Sequence, residues 1–219
     1  MRMSVMPEVI ETIVYAYDEL SPAAQEAAKD WYRDTAPSYG WWEPVYEDFA
    51  VICACLGIQL KTRNTARHSQ PESGQPCIRF SGFWTQGDGA CFEATWAYAR
   101  GASLAVRAYA PQDCKLHGIA DRLQEIQRRN IYQLVADIDH QGRYCHEGTM
   151  VITVERDSHC GQAPTHDAEE AVTDAMRDLA CWLYRQLEAE YDDITSDSAV
   201  KAAIIANAYT FTVSGRRFG

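Results

Sequence analysis

The feature that most restricts the fold is a short glycine-containing turn between two β-rich runs. Residues 78–84 and 90–99 are rich in β-branched and aromatic side chains, and only Thr85-Gln86-Gly87-Asp88-Gly89 separates them. Two glycines so placed are typical of the positive φ angles of a tight hairpin with a bulge. Strands joined this closely pair antiparallel, because a parallel pair needs a long crossover connection. The sequence therefore predicts an antiparallel hairpin.

Helical periodicity predicts several amphipathic helices around this hairpin. Ser21-Pro22 is a capping residue followed by a first-turn proline, and it predicts a helix to about Asp34. A second helix begins near Pro44 and stops at Gly57. Further helices are predicted at 112–129, after the linker 157–166 and near 197–206; the helix after the linker has the strongest apolar repeat, Val172, Met176, Leu179, Leu183, Leu187 and Tyr191.

The remaining β-rich runs complete the fold prediction. Strands are expected at 10–17, 58–62, 77–84, 90–99, 131–139, 149–156 and 207–214, with a polar loop over 63–76. Tight turns join the central strands, whereas helices alternate with strands irregularly. The expected fold class is α+β, a mostly antiparallel meander sheet with amphipathic helices packed on it. We expect a single domain over residues 1–219, with 157–166 as its one plausible seam.

The overall charge is acidic and excludes several partners. The net charge is −11, so nucleic acid and anionic membranes would repel the chain. No run of about 18 apolar residues could span a bilayer, and the first residues lack the apolar stretch of a secretion signal, so a cytoplasmic location is expected. Reduced thiols are expected for the eight cysteines, since no Cys-x-x-Cys occurs.

The acidic residues fall into two segments, and these carry our prediction for partner binding. Residues 8–50 and residues 167–198 each hold ten acids against two bases. Such helical carboxylates commonly serve only to keep a protein dispersed, but they also suit a basic protein surface, with nearby aromatic side chains as anchors. The predicted partner-binding residues are Glu26, Asp30, Asp34, Trp41, Trp42, Glu43, Glu47, Asp48, Glu169, Glu170, Asp174 and Asp178.

A catalytic alternative centres on the glycine hairpin. Asp88 would act as acid or base and Cys91 as nucleophile, with His140 or His146 as partner. The simpler interpretation is a structural turn formed by Gln86, Gly87, Asp88 and Gly89, whose glycines meet φ requirements. No catalytic residue is therefore predicted.

A second polar cluster raises the question of a metal. It contains His140, Cys145 and His146, with His159-Cys160 downstream. Adjacent residues of an extended chain point to opposite faces, so at most alternate members can converge on one ion. We expect neither a metal nor another cofactor.

One resemblance bears on function. The hairpin Phe80-Ser-Gly-Phe-Trp-Thr-Gln-Gly-Asp-Gly-Ala-Cys-Phe92 and the opening Tyr17-Asp-Glu-Leu-Ser21, followed by an Ala-rich helix ending in Trp31-Tyr32, resemble small phage and prophage proteins. Those proteins are labelled hypothetical or, loosely, antitoxins. The resemblance carries no established catalytic residues. It implies a mobile-element setting in which small acidic proteins bind and block a host protein, anti-CRISPR inhibitors among them.

Together these observations favour a binding protein. The leading hypothesis is a phage-borne inhibitor of a bacterial defence protein or another nucleic-acid-processing protein, contacting a basic protein or nucleoprotein complex. The alternatives are an antitoxin that sequesters a cognate toxin and a Cys/Asp-dependent hydrolase centred on residues 80–92.

Overall fold

A computed structural model describes residues 11–35, 40–63 and 74–219. In chain order, the helices are α1 (Pro22–Thr35), α2 (Glu43–Leu56), α3 (Ala102–Tyr109), α4 (Cys114–Arg129), α5 (Ala168–Thr195) and α6 (Asp197–Ala206). The strands are β1 (Tyr15–Ala16), β2 (Ile58–Leu60), β3 (Thr62–Arg63), β4 (Gln75–Pro76), β5 (Ile78–Phe80), β6 (Ala90–Phe92), β7 (Ala94–Ala97), β8 (Leu134–His140), β9 (Met150–Arg156), β10 (Thr210–Phe211) and β11 (Arg217–Phe218).

The contacts within the chain define two compact units. The first holds the described residues up to Trp41 together with Glu190–Gly219, and the second holds Trp42–Ala189. The linker 157–166 lies within the second unit. The single-domain interpretation stays a prediction.

The second unit contains the main sheet, with strand order β2-β7-β8-β9. All of its strand pairs are antiparallel, and β7, β8 and β9 follow one another as a meander. Along β8, Leu134, Ala136 and Ile138 are buried, whereas Asp137 and Asp139 are exposed, as expected for a sheet with one covered face. Together with the six α-helices of the described residues, this sheet confirms the predicted α+β fold class.

Strands β3 and β4 form a separate two-stranded sheet, and β5 and β6 form another. The predicted glycine hairpin forms, with Arg79 of β5 opposite Cys91 of β6. Phe49 of α2 contacts the rings of both Phe92 and Trp182, so one core residue joins α2, β6 and α5.

The first unit has its own small core. Tyr17, Leu20, Ala24, Ala28, Val200, Ile204 and Phe211 are buried there. Trp31 packs edge-on against Tyr209 and Phe211. Lys29 is buried in α1 and forms ion pairs with Glu26 (2.8 Å) and Asp197 (2.7 Å).

Three sequence predictions are corrected. Within the described part of the predicted strand 10–17, only Tyr15–Ala16 pairs with β10; a 3₁₀ turn follows, and Ile13 is 76% exposed. The predicted strand 207–214 is reduced to Thr210–Phe211. Helix α3 lies where no element was predicted. Its N-cap residue is Gly101, which has no capping side chain, so the sequence lacks the usual signal of a helix start. Most of the predicted loop 63–76 lies outside the described residues, and its ends pair as β3 and β4.

Candidate functional site

The second unit brings together side chains from both polar clusters of the sequence. Cys91, His140 and Cys145 each offer one potential ligand atom, and these atoms all lie within 4.8 Å of one another. Cys91 lies in the middle of β6, His140 ends β8, and Cys145 belongs to the connection between β8 and β9. Cys91 is fully buried, and the other two are half-buried.

A close contact between two connections holds this cluster together. A Cβ atom on Gly89 would lie 2.5 Å from the His146 Cβ and 2.8 Å from its Cα. The Ser81 hydroxyl accepts a hydrogen bond from the Gly89 N–H and lies 3.5 Å from the Cys145 carbonyl oxygen. The hairpin therefore approaches the β8–β9 connection closely enough to exclude any side chain at residue 89.

The prediction that both hairpin glycines are required for a positive φ is correct for Gly87 and wrong for Gly89. Gly87 has the predicted positive φ, at 92°, but Gly89 is not among the residues with positive φ. The requirement at Gly89 is steric, because a neighbouring segment occupies the space that its side chain would fill.

The surroundings of Cys91 are polar for so buried a position. The pKa of Cys91 is raised to about 12, chiefly by burial; nearby Cys145 acts in the same direction, while Arg79 opposes both effects. Arg79 forms an ion pair with Glu93, yet its Nη1 is buried with no hydrogen-bond partner in the described chain. Burial also raises the pKa of Tyr46, with Cys91 and Cys145 adding to that rise.

The polar groups of the hydrolase hypothesis are engaged elsewhere. Asp88 accepts hydrogen bonds from the backbone N–H groups of Thr85 (2.7 Å) and Trp84 (3.1 Å), and the Thr85 bond lowers the pKa of Asp88. His146 accepts a bond from the Gly148 N–H through Nδ1. A thiol with a raised pKa is a weak nucleophile. The geometry is that of a capped turn beside a protonated thiol.

The other residues considered for a metal do not join the cluster. His159 and Cys160 are exposed, and only Cys91, His140 and Cys145 converge among the described His, Cys, Asp and Glu residues. All eight cysteines are free thiols.

The first group of predicted binding residues is divided between the two units. In the first unit, Glu26 pairs with Lys29 and Asp30 pairs with Arg33, while Asp34 is exposed. In the second unit, Glu43 and Glu47 are exposed on α2 with no ion pair in the described chain.

The second group lies on α5 and is partly neutralised by α4. Asp178 pairs with Lys115 (2.8 Å) and with Arg122. Glu170 and Asp174 are exposed and line a groove that also contains Arg122 and Arg129. Glu169 is exposed without an ion pair in the described chain. This surface therefore carries charges of both signs.

The aromatic residues proposed as anchors are packed within their own units. Trp41 contacts the Tyr191 ring in the first unit, and Trp42 contacts Phe80 in the second. Both tryptophans are half-buried. Asp48 accepts a hydrogen bond from the Tyr109 hydroxyl.

Comparison with known proteins yields one match. Residues 41–197 match a family described as "Domain of unknown function (DUF8835)", and this range is well over half of the chain and includes the whole Cys91 cluster. Neither the curated proteins nor the solved structures contain a match. Among the described residues, no helix combines the length and apolar character needed to cross a membrane.

Proposed function

The chain belongs to the DUF8835 family, and we propose that it is a binding protein that blocks a positively charged bacterial protein. In its specific form, the proposal is a phage-borne inhibitor that acts in the bacterial cytoplasm on a defence protein, as anti-CRISPR inhibitors do, or on another nucleic-acid-processing protein. The proposal includes no direct contact with nucleic acid or membrane.

The observation that carries the proposal is the exposed face of α2. Glu43 and Glu47 lie four residues apart, so both carboxylates extend from the same side of the helix. Neither forms an ion pair in the described chain, and Val51 continues this exposed side one turn further. Unpaired carboxylates beside an apolar side chain suit a basic surface, because the charges speed association and the apolar contact prolongs it.

Ion pairs within the chain reduce the number of carboxylates that are available to a partner. Asp178 already has two basic partners, so it has less to offer an external cation. In the first unit, Glu26 and Asp30 each have one basic partner, Lys29 and Arg33 respectively. In the second unit, the contact would rest on Glu43 and Glu47, with Glu169, Glu170 and Asp174 as the secondary group.

The hairpin favours binding over hydrolysis. A nucleophilic cysteine requires a lowered pKa, whereas that of Cys91 is raised by burial. The Asp88 carboxylate is directed at backbone N–H groups of its own turn. These contacts stabilise the turn and leave no paired acid and nucleophile.

The test is affinity capture from a bacterial lysate at low and high salt, with three forms of the chain. The wild type is compared with Glu43→Gln/Glu47→Gln and with a control, Asp121→Asn/Glu125→Gln. The control removes the same charge from carboxylates that already pair with Arg107 and Arg128. We expect one basic protein to be captured by the wild type and the control, lost by the α2 variant and weakened by salt.

Two results would count against this proposal. Equal loss in both double variants would show that only net charge matters, and salt-insensitive capture would exclude an electrostatic contact. Capture of a single toxin encoded beside this chain would instead favour the antitoxin alternative.

A further inference from the structure

We propose that Cys91, His140 and Cys145 form a binding site for a thiophilic divalent metal ion, of which Zn²⁺ is the best fit. The site is independent of the proposed function, because it lies in the packed contact between the β5–β6 hairpin and the β8–β9 connection. Thiolate sulfur and imidazole nitrogen are the ligand types that zinc prefers in proteins.

The geometry of the cluster fits one ion. Bonds of about 2.3 Å to sulfur and about 2.0 Å to nitrogen place the ligand atoms of tetrahedral zinc roughly 3.5–3.8 Å apart. The three ligand atoms here lie within 4.8 Å of one another, so inward shifts of less than about 1 Å would complete the coordination. A cluster with three protein ligands leaves the fourth position for a water molecule.

The second nitrogen of His140 is already fixed. Its Nε2 lies 2.8 Å from the Tyr144 carbonyl oxygen, a distance at which Nε2–H donates and Nδ1 carries the lone pair. Metal-bound histidines characteristically donate their other N–H to a backbone carbonyl or a carboxylate, which fixes the ring and its tautomer. With Nε2 held in this way, Nδ1 is the His140 atom that would bind the ion.

Arg79 gives an independent reason to expect thiolate at Cys91. Its Nη1 is buried and has no hydrogen-bond partner in the described chain, although Arg79 lies directly opposite Cys91 in the strand register. A protonated thiol is a weak acceptor, whereas a thiolate accepts strongly from a guanidinium group. Metal binding would deprotonate Cys91 and thus give this buried donor a strong acceptor.

The charges balance when the metal binds. Zn²⁺ displaces one proton from each of the two thiols, both protons pass to solvent, and the resulting thiolates neutralise the ion. Burial alone makes the Cys91 thiolate costly, and the charge of the bound ion offsets that cost. Arg79 and Glu93 already neutralise each other beside the site. The occupied cluster therefore adds no uncompensated charge to the interior.

Cobalt is the appropriate probe, because Co²⁺ occupies zinc sites and reports its ligands by absorption. The full-length reduced protein is titrated with Co²⁺, and the complex is then challenged with Zn²⁺. We expect one ion per chain, a sulfur-to-cobalt charge-transfer band, visible bands typical of tetrahedral coordination, and loss of all bands when Zn²⁺ displaces the probe.

Variants assign the ligands. Cys145→Ser and His140→Gln change half-buried positions, and each should weaken Co²⁺ binding by more than about 100-fold, since loss of even an outer partner costs about 10- to 100-fold. The controls, Cys114→Ser and His159→Gln, change exposed residues of the same types outside the cluster and should bind as the wild type does.

Circular dichroism on each variant separates loss of a ligand from loss of the fold. The proposal is overturned if the folded wild type shows no charge-transfer band or if all four variants bind equally.

Discussion

The Cys91 cluster and the acidic face of α2 are both polar regions of the second unit, but they are built in opposite ways. The cluster collects side chains from β6, β8 and a connection, and a steric contact at Gly89 holds them in place. The α2 face consists of neighbouring residues on one helix, exposed and without ion pairs in the described chain. A site made by tertiary packing can position ligands precisely, whereas a helix face offers charge to whatever approaches it.

The acidic segments themselves show a similar contrast. A local excess of carboxylates in the sequence predicts an acidic surface only if bases from elsewhere do not reach it. On α5, Lys115 and Arg122 both bond to Asp178, although neither belongs to the acidic segment. Sequence charge counts therefore overestimate the free negative charge of α5 and describe α2 better.

The largest expected effect is zinc-dependent stability. A ligand that binds only the folded state stabilises it by about 2.7 kcal/mol at 100 times its dissociation constant. We expect Zn²⁺ to raise the urea midpoint of the wild type accordingly and to leave that of Cys145→Ser unchanged. Equal stabilisation of both proteins would place the ion elsewhere.

The next effect is steric and tests how the cluster is held. Gly89→Ala would place a Cβ 2.5 Å from the His146 Cβ, so we expect a loss of about 1–3 kcal/mol in the free energy of unfolding and weaker Co²⁺ binding. Denaturant unfolding with and without the ion measures both.

Gly118→Ala is the control for that substitution and should have the opposite sign. Gly118 lies in α4, and a Cβ there would meet nothing within 4 Å. Alanine in a helix is favoured over glycine, so a gain of about 0.5–1 kcal/mol in unfolding free energy is expected. If both alanine variants shift stability equally, the contact at residue 89 is not the determinant.

A smaller effect on stability is expected when a carboxylate with ion pairs is replaced than when the Gly89 contact is disturbed, and a still smaller one when the carboxylate has no ion pair. Asp178→Asn removes two ion pairs, each worth up to about 1 kcal/mol at a partly exposed site, and should lower thermal stability. Glu47→Gln removes a charge with no partner in the described chain and should change stability by less than about 0.5 kcal/mol. Differential scanning calorimetry at low salt compares the two variants.

The smallest expected effect is the pH dependence of stability that the ion pairs of Asp178 cause. Burial favours a raised pKa for Asp178, but the bonds from Lys115 and Arg122 outweigh it and hold the pKa below the ordinary 3.8. A lowered pKa in the folded state gives stability that is present above pH 3.8 and lost as the pH falls through the folded value. Asp178→Asn should therefore flatten the acid limb of the stability profile; an unchanged limb would show that other groups control it.

Local signals in the sequence were enough for much of the fold. Pro22 and Gly57 mark helix boundaries that the structure confirms, and Gly57 has the left-handed φ of a helix end. The β-branched residues at 10–17 predicted too long a strand. Strand propensity has an effect only where a partner strand is available, and β10 pairs with two residues of this run.

The Cys91 cluster needed information that is absent from local patterns. His140 and Cys145 are close in sequence, but Cys91 is far away and joins them because β6 packs against β8 and against the β8–β9 connection. Arg79 becomes relevant only when the strand register places it opposite Cys91. A glycine whose φ is unremarkable, Gly89, was the one local trace of that contact.

The most direct test of the contrast between these two regions is native mass spectrometry of the reduced full-length chain with Zn²⁺. We expect one zinc ion per wild-type chain with loss of two protons, one zinc ion on Glu43→Gln/Glu47→Gln, and none on Cys145→Ser. Zinc retained by Cys145→Ser, or lost from the α2 variant, would contradict this expectation.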